Sequence, residues 1–124
     1  MRPHERLDVW CRSMDFVVAV YRLTDGFPKE ERFGLTSQLR RAVVSIPANI
    51  AEGAARTSPR EFLHFLAIAQ GSASEVATEL TIANRLGFCD AATHSQLHNS
   101  LDDIGRMITG LSKHLKRNLA ISDS

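Results

Sequence analysis

Apolar residues recur along the chain at spacings of three and four, and no stretch alternates as a strand would. Three clusters of turn-forming residues interrupt that pattern: Asp25-Gly26-Phe27-Pro28, Arg56-Thr57-Ser58-Pro59 and Gly87-Phe88-Cys89-Asp90. They divide the chain into four helical segments, about 6–24, 30–55, 59–86 and 90–118. Gly26 can supply a left-handed turn that ends the first, and Pro28 blocks its resumption. The third has the clearest start, with Ser58 as N-cap, Pro59 in the first turn and Glu61 closing a capping box. Asp90 or Thr93 caps the fourth, and Lys113, Lys116 and Arg117 complement the dipole at its far end. Segments of this size reach roughly 37 Å. With short connections they predict an all-α, antiparallel, up-down-up-down four-helix bundle, a single domain over residues 1–124.

The fourth segment carries one narrow seam, Leu97, Leu101, Ile104, Ile108, Leu111 and Leu115, as bundle packing requires. The first and third carry more. On the first, Leu7, Trp10, Met14, Val17, Val18 and Tyr21 form one face, while Val9, Phe16, Val20 and Leu23 form another nearly opposite. On the third, Phe62, Phe65, Leu66, Ala69, Ala73, Val76 and Leu80 make the main stripe, with Ile68, Ile82 and Leu86 well off it. Two stripes need two neighbours, which a lone bundle does not supply. Val9, Phe16, Val20, Leu23, Ile68, Ile82 and Leu86 are therefore the expected contacts of a homo-oligomer.

The second segment carries an apolar stripe, Leu35, Leu39, Ala42, Ile46, Ile50 and Gly53, and beside it a polar one, Gln38, Arg41, Ser45, Asn49 and Glu52. Both keep phase through Pro47, which predicts one continuous helix kinked at the proline rather than two helices. The polar stripe reads as half of a buried network. Ser72, Glu75 and Glu79 on the third segment are its expected partners, the two carboxylates suiting the planar fork of Arg41.

Composition changes this picture little. Of the 124 residues, 44% are hydrophobic and 23% charged, in keeping with an ordinary globular domain. The net charge of +1 gives no global pull toward nucleic acid or anionic membrane. No apolar run is long enough to span a bilayer. The N-terminus leads into an amphipathic segment rather than a signal-peptide core. Cys11 and Cys89 fit no metal spacing and read as small buried hydrophobes of a reducing cytoplasm.

Candidate chemistry is sparse. Basic residues cluster at Arg40 and Arg41, at Arg56 and Arg60, and at Lys113, Lys116 and Arg117, where repetition around an oligomer could build a nucleic-acid-binding rim. His94, His98 and Asp102 recur every fourth residue but drift around the helix, so a solvated face is expected there rather than a metal site. Arg60 and His64 echo the arginine–histidine pair of a small helical ribonuclease, with a shorter spacing. No phosphate-cradling loop, nucleophile elbow or zinc signature is present, so neither cofactor nor metal is expected.

Several pieces, in order, are similar to a known family: Leu7-Asp8-Val9-Trp10, Tyr21-Arg22-Leu23-Thr24, Phe27-Pro28-Lys29-Glu30-Glu31, Leu35-Thr36-Ser37-Gln38-Leu39-Arg40-Arg41-Ala42, Ser45-Ile46-Pro47-Ala48-Asn49-Ile50-Ala51-Glu52-Gly53 and Gly71-Ser72-Ala73-Ser74-Glu75. Together they resemble the small bacterial four-helix-bundle family named for a protein encoded in intervening sequences of 23S ribosomal RNA genes. The accessory protein of diversity-generating retroelements is related to it. The resemblance spans about residues 7–118. It implies an antiparallel four-helix bundle, a ring of five subunits and no enzymatic activity. Retroelement members look like strongly basic rings that engage nucleic acid and a reverse transcriptase. This chain departs from that pattern, with 15 basic and 14 acidic residues. The expected role is a binding module for RNA, DNA or protein, with an RNA-processing factor as the alternative.

Overall fold

Several helix boundaries can be traced to a local backbone or side-chain cause. The computed structural model describes residues 2–122. In chain order the helices are α1 (Asp8–Asp25), α2 (Leu35–Ala54), α3 (Pro59–Arg85) and α4 (Ala91–Ser122), with 3-10 turns at Pro3–Arg6 and Lys29–Glu31. No strand occurs among the described residues. The four helices form a bundle around one apolar core.

Helix α3 starts as expected, Ser58 Oγ accepting the Glu61 N–H at 3.4 Å with Pro59 in the first turn. Asp90 caps α4 by accepting the Thr93 N–H at 2.7 Å. That bond holds the Asp90 carboxyl below its ordinary range. Two expected boundaries differ by more than two residues. Helix α2 begins at Leu35 instead of 30, because a 3-10 turn follows Pro28 and Gly34 breaks the helical path at φ −110°, ψ −115°. The Glu31 carboxylate then accepts the Leu35 N–H at 3.1 Å and supplies the missing cap. Helix α4 continues to Ser122, since neither proline nor glycine follows Gly110 to stop it. Gly26 does not take the left-handed form expected of it. Its φ is −88°, and the left-handed glycine is Gly87, at φ 83° after α3.

Helices α2 and α3 pack most extensively. Leu39, Val43, Ile46 and Ile50 meet a core that includes Leu66, Ala69, Val76 and Leu80. Gly53 allows the closest approach, since a Cβ there would lie 2.8 Å from Phe62 and 2.9 Å from Phe65. Ser45 contacts Ser72 across the same interface, and Gln70 on α3 bonds Gly105 and Thr109 on α4. Gly53, late in α2, lies against Phe62 and Phe65, early in α3, and Thr81, late in α3, lies 3.2 Å from His94, early in α4. The Phe27 and Phe88 rings, 5.6 Å apart, bring the α1–α2 and α3–α4 connections to one end. Helix α2 runs unbroken through Pro47.

The two faces of α1 are the reverse of the sequence expectation. Val9, Phe16 and Val20 are buried in the chain's own core and Leu23 is half-buried, so the first three are not available to a neighbouring copy. Met14, Val18 and Tyr21, expected inside, are exposed, while Leu7, Trp10 and Val17 are half-buried. Helix α3 is oriented as its pattern suggests, with Leu66, Ala69, Ala73, Val76 and Leu80 inside and Ile68, Ile82 and Leu86 exposed. Cys89 is buried, but Cys11 is exposed, because it lies off the inward face of α1.

Candidate functional site

The register of α2 against α3 sets polar residues from both helices around a cleft of about 600 Å³, lined by Phe33, Ser37, Gln38, Arg41, Ala42, Ser45, Ser72 and Glu75. Ser45 and Asn49 lie one turn apart on the same face of α2. Asn49 Nδ2 donates to the Ser45 carbonyl at 2.8 Å and to Ser45 Oγ at 2.9 Å. Ser45 Oγ lies 2.8 Å from Ser72 Oγ on α3. The middle of the expected polar network is therefore assembled between the two helices.

Its ends are not. Arg41 is exposed and lines the cleft with Glu75, yet no ion pair joins Arg41 to either expected carboxylate among the described residues. Gln38 sits exposed at the cleft. Glu52 is outside it, paired with Arg56 at 3.0 Å on the surface. Glu79 is only 5% exposed, and no hydrogen-bond donor meets either carboxylate oxygen among the described residues. Burial first, and then the charge of Glu75 and a hydrogen bond to its carboxylate, together push the Glu79 pKa up from 4.5 to about 7.

The basic candidates are distributed and partly committed. Arg40 ties α2 to the end of α1. Its Nε donates to Thr24 Oγ1 at 2.8 Å, its Nη2 to Asp25 Oδ1 at 2.9 Å and to the Tyr21 carbonyl at 3.3 Å. Its guanidinium also stacks 4.5 Å over the Tyr21 ring, so it is a packing residue and not part of a free basic rim. Arg56 holds Glu52 and lies over Phe65. The α3–α4 register places exposed Arg60 toward the same end as exposed Lys113, Lys116 and Arg117.

The remaining candidates are engaged locally. His64 is exposed and edge-on to Phe65. His94 lies 3.2 Å from Thr81 Oγ1, and His98 Nδ1 lies 3.5 Å from Asp102. Two features escaped the sequence reading. Phe33, 85% exposed with Arg32 stacked on it, borders the cleft; its place off the apolar and polar stripes of the second segment was the available signal. The other is a groove of about 710 Å³ between α1 and α4, with Phe16, Leu23, Leu97 and Ile104 in its lining and Arg12, Asp15 and Asp103 among its charged residues. Nothing in the linear pattern marks it, because it depends on how loosely those two helices pack.

The arrangement is also found in a solved structure. A crystal structure of a protein of unknown function from the S23 ribosomal protein family of Bacteroides thetaiotaomicron VPI-5482 superposes with a TM-score of 0.76 at 24% identity, covering 85% of this chain and 98% of that one. At that identity the likeness speaks for the fold. No curated protein matches the chain. The profile of the family described as 23S rRNA-intervening sequence protein matches residues 5–110. That match takes in all of α1, α2 and α3 and the seam of α4 as far as Ile108, so the chain belongs to the 23S rRNA-intervening sequence protein family.

Proposed function

We propose that this protein is a non-enzymatic, ring-forming binding module of the cytoplasm, five copies displaying repeated sites to a nucleic-acid or protein partner. The observation that carries the reading is the apolar surface of the single chain. Met14, Val18 and Tyr21 on α1 and Ile68, Ile82 and Leu86 on α3 are all at least 38% exposed. Apolar surface on two helices of one bundle is characteristic of association sites. The number five comes from the family resemblance. Repetition would let weak sites act together, since linked sites bind with high effective concentration. The non-enzymatic reading is supported by the cleft, where the Ser45 and Ser72 hydroxyls bond each other and whose lining contains no histidine to act as base.

Sedimentation at micromolar concentration is the first test, and a species near five times 13.8 kDa is expected. A single 13.8 kDa species would overturn the assembly. The ultraviolet spectrum of protein purified from cells then separates nucleic-acid from protein partners. Bound nucleic acid should dissociate steeply with salt as phosphate contacts release counterions. Ribonuclease activity abolished by His64→Ala would replace the adaptor reading with an RNA-processing one.

A further inference from the structure

The cleft between α2 and α3 has a buried carboxyl group beside it that meets no donor among the described residues. The group belongs to Glu79, one turn along α3 from Glu75, which lines the cleft. A carboxylate only 5% exposed is ordinarily paired or fully hydrogen-bonded, because a bare buried charge is costly. The nearby guanidiniums of the chain do not supply this. Arg40 is held by Thr24 and Asp25, and Arg41 makes no ion pair with either glutamate.

The remaining chemistry of the cleft favours a cation that donates several hydrogen bonds. Ser45 and Ser72 offer hydroxyl oxygens and Glu75 a carboxylate. The Phe33 ring, 85% exposed on the same cleft, offers an aromatic face to a planar or ammonium cation. A metal ion suits this donor set poorly, since no third histidine, cysteine or carboxylate joins the pair among the described residues. A guanidinium, with its fixed fork of N–H donors, fits two neighbouring carboxylates and leaves donors for the serines.

We propose that the α2–α3 cleft is a binding site for a guanidinium or ammonium group, which enters beside Phe33 and pairs with Glu75 and Glu79. The group is borne either by a free small molecule or by a basic side chain of another chain. The site goes beyond the assembly reading and does not depend on it.

The test uses the full chain at about pH 8, above the raised Glu79 pKa of about 7. Agmatine, which carries a guanidinium and an ammonium, is titrated while amide resonances are followed. For a free ligand, saturable shifts are expected at Ser45, Ser72 and Glu75. Glu79→Gln and Glu75→Gln should each weaken binding at least about tenfold, the scale of losing a charge-assisted bond. Glu75 is exposed, so its substitution carries the test even if Glu79→Gln folds poorly. If a neighbour's side chain already fills the cleft, agmatine does not bind, and each substitution instead raises the dissociation constant of the assembly at least about tenfold. Absence of both agmatine binding and any change in assembly on substitution overturns the proposal, as does agmatine binding that both substitutions leave intact. Loss of assembly with agmatine binding retained would sink the ring reading and leave this one standing.

Discussion

Ser13 and Thr24 lie on the buried arc of α1, yet each hydroxyl is satisfied within its own helix, donating to the Val9 carbonyl at 2.7 Å and the Val20 carbonyl at 2.9 Å. These polar residues break up the apolar arc that packs inward, so Leu7, Trp10, Met14, Val17, Val18 and Tyr21 make the more continuous stripe in the sequence. Back-bonding is invisible in a periodicity count. Glu79 was legible as a polar residue on the α2-facing side of α3, but its lack of a partner depends on where Arg41 extends. Its folded pKa of about 7 exceeds the ordinary 4.5, so between those values the folded chain holds a proton that the unfolded chain has lost. The stabilisation is complete below about 4.5 and is lost as pH rises through about 7. Glu79→Gln should therefore unfold like the parent near pH 5 and be more stable near pH 8, by up to ~3 kcal/mol, in urea titrations at the two values. Arg40→Ala removes hydrogen bonds and a ring contact that join α2 to α1. A loss of about 1–2 kcal/mol is expected, and lysine should restore little of it because it lacks the planar fork.

At the scale of elements, caps and turn residues placed α3 and the start of α4 correctly from sequence, because Ser58, Pro59 and Asp90 act on adjacent backbone. The start of α2 was misplaced because Lys29, Glu30 and Glu31 suit either an α-helix or a 3-10 turn, and the conformation of Gly34 decides between them. Close helix packing gives a paired prediction. Gly53→Ala would drive a methyl to within 2.8 Å of the Phe62 ring and should cost about 1–3 kcal/mol in urea unfolding. Gly71→Ala meets nothing within 4 Å in the single chain and sits inside α3, so it should stabilise by about 0.5–1 kcal/mol. The Ser45–Ser72 contact belongs to this scale too. It goes with the small residues Gly53 and Ala42, which let α2 and α3 come close together.

At the scale of the whole molecule, the outward faces of α1 and α3 are the surfaces on which assembly is proposed. Val18→Glu and Ile82→Glu each place a charge on an exposed apolar position, 46% and 43% accessible, where the fold of the single chain should tolerate it. Each should lower the sedimenting mass while leaving helical circular dichroism unchanged. Unchanged mass in both would move the interface elsewhere. Val9→Glu, by contrast, buries a charge in the core and should unfold the chain rather than dissociate it. The sequence alone determined the four helices, most of their ends, the core seams of α2, α3 and α4 and the family, since all depend on residues near one another in the chain or on ordered motifs. Only the tertiary structure decided which arc of α1 faces inward, that Arg40 is a clamp, that Arg41 leaves Glu79 unpaired and that Phe33 stands at a cleft. Each of those depends on where distant segments meet and on the direction a long side chain takes, which helical period does not encode.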